Sequence, residues 1–138
     1  MNKQALGTFL LCALLCAACS SPNRGVWRGT FDGDVSGVVE FRINARGTQL
    51  EGSLDGETSD GAPFEAVMEG RIEGDAFYAT FEGDGRSGIY PVPFKGFLKG
   101  QLIDGAGGGE WEAQLETPLG EPLGAKLLGD WQVQQVSE

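Results

Sequence analysis

Side chains that usually carry chemistry are scarce in this chain. Its 138 residues contain no histidine, and its three cysteines, Cys12, Cys16 and Cys19, all fall within the first 19 positions. Nucleophilic catalysis by serine or cysteine therefore lacks the histidine that normally serves as its base. The 20 acidic residues are the main reactive stock. Most lie beside glycine, and solvated carboxylates in turns keep ordinary pKa values that suit general acid–base work poorly. The most compact set of oxygen side chains is Asp32-Gly33-Asp34-Val35-Ser36-Gly37. Oxygens at positions one, three and five with glycine at six match the first half of a calcium loop, but position twelve is Ile43 instead of a bidentate acid. Asp32, Asp34 and Ser36 are therefore assigned to a hairpin turn, with a calcium site as the weaker alternative. The expectation is a protein that is not an enzyme and needs no cofactor.

The first 18 residues differ in composition from the rest. Lys3 supplies a positive start, residues 5–18 are largely apolar, and Ala17-Ala18 supplies small residues before a cut, which together make a secretory signal. The run is shorter than the roughly 20 residues of a membrane-spanning helix, and no later stretch is continuously apolar for half that length. Cys16-Ala17-Ala18-Cys19 resembles the lipobox of bacterial lipoproteins, with cysteine at 16 where leucine is usual. The resemblance implies cleavage before Cys19, acylation of its sulfur and amino group, and lasting membrane attachment. Ser20 resembles the outer-membrane sorting residue of Gram-negative lipoproteins, so an exported protein anchored in the outer membrane is expected.

Residues 19–24 then read as a lipidated cysteine with a short tether, and residues 25–138 as one domain, because the length leaves room for no second core. Without the signal, nine basic residues face 20 acidic ones, a net charge of about −11. Such a surface disfavours nucleic acid and anionic lipid. The domain has no cysteine pair, so a disulfide cannot hold it together.

Strands must therefore position whatever the domain does. Trp27, Gly29 and Phe31 alternate with Arg28, Thr30 and Asp32, the period of two of a half-buried strand. The same split recurs in Val39-Phe41-Ile43, Leu50-Gly52-Leu54, Phe64-Ala66-Met68, Phe77-Ala79-Phe81, Trp111-Ala113-Leu115 and Trp131-Val133, with mostly polar residues between. Turn residues that tolerate positive φ separate the segments: Asp32-Gly33, Asp55-Gly56, Asp60-Gly61, Gly74-Asp75, Gly83-Asp84-Gly85 and Asp104-Gly105. The pattern predicts about eight strands, near 25–32, 35–44, 47–55, 62–73, 76–82, 89–103, 108–116 and 125–135. Pro91 and Pro93 mark an edge or a bulge.

Short connections and even spacing predict an all-β, antiparallel up-and-down meander that closes into a small soluble barrel and so removes its exposed edges. A membrane barrel would carry its apolar face outward, with aromatic girdles; the single apolar face here suits a soluble one. All three tryptophans sit in Gly-x-Trp, and Gly25-Val26-Trp27 followed by Leu50-Glu51-Gly52-Ser53-Leu54 resembles the first strands of lipocalin and avidin-like barrels. That resemblance implies an eight-stranded barrel plugged at one end by Trp27.

Inward positions repeatedly pair glycine with a large residue, an alternation that favours a filled, tapering core. The alternative is an apolar cavity for a small hydrophobic ligand lined by Trp27, Phe41, Phe81, Trp111 and Trp131. Ser87-Gly88-Ile89-Tyr90 with Lys95-Gly96 partly resembles a motif of periplasmic lysozyme-inhibitor lipoproteins, although those usually carry a disulfide. The functional expectation is a non-enzymatic, membrane-anchored binding or structural module of the cell envelope. A ligand carrier and an acidic inhibitor of a cationic hydrolase are the alternatives. Its partners are a lipid anchor, an envelope protein or small hydrophobic ligand, and no nucleic acid.

Overall fold

A computed structural model describes residues 23–136. The signal and Cys19 lie outside the described residues. The strands are β1 (Gly25–Gly33), β2 (Gly37–Arg46), β3 (Gln49–Thr58), β4 (Pro63–Glu73), β5 (Ala76–Ser87), β6 (Tyr90–Ile103), β7 (Ala106–Leu115) and β8 (Leu127–Gln135). Each pairs antiparallel with the next, and β8 returns to β1 to close the barrel, with Phe31 opposite Trp131 and Gly29 opposite Val133. No helix occurs among the described residues. The expected eight-stranded meander is the fold of the chain.

Two expected turns lie inside strands, and a third, Asp32-Gly33, forms the paired end of β1. Gly83-Asp84-Gly85 belongs to β5, which runs on to Ser87, and Asp55-Gly56 belongs to β3. Gly83 and Gly56 answer a need for close approach, not for a turn, whereas a Cβ on Gly85 would meet only ordinary contacts at 3.8–4.0 Å. At Gly83 a Cβ would meet the Glu65 carbonyl oxygen at 2.0 Å and the Ala66 Cα at 2.5 Å. Spare room for any other side chain is absent there, so glycine keeps the neighbouring strand close.

The prolines of β6 sit where the sequence placed them, on a local edge. Pairing to β7 begins only at Phe94, so Tyr90 to Pro93 pair with β5 alone. The Pro93 carbonyl accepts from Glu116 N at 2.8 Å. Backbone N and carbonyl of one strand residue point the same way, so the missing proline N–H removes no bond to β5.

The inward face is apolar along every strand, and no polar or charged residue is buried among the described residues. Charges lie on the outer wall in pairs such as Arg28–Glu40 at 2.7 Å and Lys95–Glu116 at 3.2 Å. The Arg28 hydrogen bond, helped by nearby Arg42, holds the Glu40 carboxyl below its usual range. Exposed pairs of this kind contribute at most about 1 kcal/mol each, whereas each large buried side chain contributes about 1.5–3 kcal/mol. The core, not the charged wall, holds the barrel closed.

Candidate functional site

With eight alternating strands, the chain enters and leaves the barrel at the same end. The connections at residues 47–48, 74–75 and 104–105 also lie there, while 34–36, 59–62, 88–89 and 116–126 surround the opposite end. The two ends are built differently. At the terminal end Trp27, Leu50, Phe77 and Leu102 are buried together with Ile43, Ile72 and Val133 and plug the barrel. Trp27 is fully buried, and its Nε1 donates to the Asn23 carbonyl at 2.9 Å.

The opposite end holds an open apolar cavity of about 310 Å³. Its walls are the rings of Phe31, Phe64, Phe81, Phe94 and Trp111, and its floor is Phe41 and Trp131. The floor rests on the plug: Phe77 lies 6.4 Å from Phe41 and 5.6 Å from Trp131, ring centre to ring centre. Thr58, Arg86 and Ser87 are the polar residues at its rim.

The glycine alternation that predicts a filled core produces one only at the terminal end. In the other half rings lie over glycines of the neighbouring strand and line an open cavity. A Cβ on Gly56 would stand 2.8 Å from the Phe64 ring, one on Gly96 2.8 Å from Phe81, and one on Gly129 2.5 Å from Trp111 Nε1. Each large ring thus occupies the volume of a missing side chain on the neighbouring strand. The axis stays empty.

Trp111 Nε1 is shared between the carbonyls of Asp32 and Asp130, at 3.0 and 3.1 Å, and Trp131 Nε1 donates to the Glu110 carbonyl at 3.0 Å. Both indole donors are therefore committed to backbone. Below the rim the cavity lining is apolar, which suits it to an apolar molecule. At the mouth the Thr58 hydroxyl donates to Asp60 and holds that carboxyl below its usual range, so it is ionised at neutral pH.

Four of the five interior residues named from the sequence, Phe41, Phe81, Trp111 and Trp131, line this cavity. Trp27 does not: its position near the start of β1 places it in the plug. Phe31, Phe64, Phe94 and Leu115 line it as well. Their period-two spacing marked them as inward, and their place next to the connections of the open end is what puts them in the cavity. Asp34 and Ser36 serve the turn. Asp34 Oδ2 accepts from Leu128 N at 2.9 Å, and the Ser36 hydroxyl lies 2.7 Å from that of Ser59. Among the described residues no three His, Cys, Asp or Glu side chains converge as metal ligands.

Gly129→Ala is expected to destabilise the domain by roughly 1–3 kcal/mol through overpacking. The new Cβ would meet the Asp32 carbonyl oxygen at 1.8 Å as well as Trp111. Urea denaturation followed by tryptophan emission checks this; an unchanged midpoint would show that Trp111 is not seated on this glycine.

No protein-family model matches the chain, and no curated protein matches it. Solved structures do resemble it. The structure of EF1p2_mFAP2b bound to DFHBI superposes with a TM-score of 0.53 at 13% identity, over 82% of this chain and 93% of that one. The redesigned β-barrel mFAP1 bound to DFHBI gives a TM-score of 0.51 at 16% identity, over 81% and 94%. At these identities the likeness is one of fold.

Proposed function

We propose that the chain is a non-enzymatic lipoprotein of the cell envelope, anchored through Cys19, whose barrel binds a small hydrophobic ligand. The observation that carries the binding half is the open aromatic cavity of about 310 Å³. Its volume lies at the lower end of the range for small-molecule pockets, roughly 300–1,000 Å³, and its only polar groups are at the rim. Two structures of similar fold are bound to a small molecule, DFHBI, which supports the use of this fold for binding one. The anchoring half is supported by the lipobox-like Cys16-Ala17-Ala18-Cys19 and the signal before it.

The test is a titration of the mature chain, carrying Cys19→Ser for solubility, with the apolar dye N-phenyl-1-naphthylamine. Dye emission should rise and saturate. Ala113→Phe, which projects a ring into the cavity from β7, should weaken binding at least about tenfold, or 1.4 kcal/mol, without lowering the melting temperature. Absence of saturable binding, together with no retained ligand in native mass spectrometry of protein purified from membranes, would remove the carrier reading.

A further inference from the structure

We infer that the plugged end of the barrel is the face apposed to the anchoring membrane, so that the cavity mouth opens away from it. The inference rests on the lipid-anchored reading above and adds a direction to it.

Topology and tether length carry it. The entering chain is fixed on the plugged end as far out as Asn23, whose carbonyl accepts from Trp27 Nε1 at 2.9 Å; the next carbonyl, of Arg24, accepts from Gln135 Nε2 at 3.0 Å. Only Ser20, Ser21 and Pro22 separate Asn23 from Cys19, a span of at most about 14 Å when fully extended. Strands β2 and β3 have 10 residues each, and a strand of that length rises about 25 Å along the axis of a barrel with strands tilted by some 40°. The tether is shorter than the barrel is tall. An acylated Cys19 therefore cannot sit in a bilayer that the mouth also touches end-on.

Charge separates the ends in the same sense. Asp32, Asp34, Glu57, Asp60, Glu116 and Glu121 lie in or beside the connections at the mouth, against Arg86 and Lys126. Among the described residues the plugged end carries Glu73, Asp75 and Asp104 against Arg24 and Arg46. An anionic headgroup layer repels the first set more strongly than the second, and the repulsion acts within a Debye length of about 8 Å. Ile89 and Leu119, 82% and 89% exposed at the mouth, consequently face the aqueous compartment. A ligand would enter from that side and not from the leaflet that holds the anchor.

The test uses the full lipidated chain in phosphatidylethanolamine–phosphatidylglycerol vesicles that contain a headgroup-nitroxide lipid as a short-range quencher. A fluorophore is placed on Thr48→Cys, in the plugged-end turn, or on Leu119→Cys, at the mouth; both positions are exposed. Quenching should be several-fold greater at position 48. Equal quenching, or stronger quenching at 119, with the protein bound to vesicles overturns the orientation and leaves the anchor standing. Failure of the wild-type chain to partition with vesicles overturns the anchored reading and the orientation with it.

Discussion

Trp131→Ala is expected to destabilise the domain by about 3–5 kcal/mol, the usual cost of truncating a buried tryptophan. For a domain of this size that corresponds to a fall of very roughly 10–25 °C in melting temperature. Trp131 is 1% exposed and makes edge-on contacts at 5.5 Å with Phe41 and 5.6 Å with Phe77. It belongs both to the packed core and to the floor of the cavity, so its removal should extend the cavity toward the plug. The variant is accordingly expected to accept a bulkier apolar dye than the wild type while losing stability. Trp131→Phe should show a smaller loss, since it keeps a ring on the floor and gives up the hydrogen bond to the Glu110 carbonyl. A melting temperature within a degree or two of wild type, or an unchanged preference among dyes, would show that Trp131 is not the partition between the two halves.

Cys19→Ala is expected to move the protein from the membrane pellet to the soluble fraction and to abolish incorporation of radiolabelled fatty acid. Each buried methylene contributes about 0.8 kcal/mol, and a single 14-carbon chain holds a protein only marginally, so lasting attachment requires more than one chain. No cysteine follows Cys19 in the sequence, and the described outer wall is charged along its strands, with salt bridges on β1, β2, β4, β6 and β7. Loss of the acyl chains should therefore leave little affinity for lipid. Labelling that survives the substitution would show that acylation takes place elsewhere or not at all. The barrel itself should be unaffected, and an unchanged far-ultraviolet circular dichroism spectrum checks that.

The sorting of residues into inward and outward sets was legible in the sequence because it depends on the period of two alone. Trp27, Phe41 and Trp131 were recognised as interior, and all three are buried. The meander was legible because short connections between strands leave antiparallel neighbours as the natural pairing. Strand ends were read less well wherever a glycine served packing. Gly83 and Gly56 look like turn residues in the chain, and only the neighbouring strand shows that each lies beneath another element.

By itself, then, the sequence determined the strand count, the apolar inner face, the acidic outer charge and the lipobox-like Cys19, because each depends on residues close together in the chain. Only the tertiary structure decided that one half of the barrel is filled and the other hollow. Phe77 and Phe81 are both inward aromatics of one strand, yet the first closes the plug and the second lines the cavity. Both face a glycine of β6, Gly100 and Gly96; the difference arises from what lies across the interior, where Phe77 meets Phe41 and Trp131 while Phe81 meets only Phe94 among the aromatic rings. Cross-strand register sets that, and register is a property of the closed barrel as a whole.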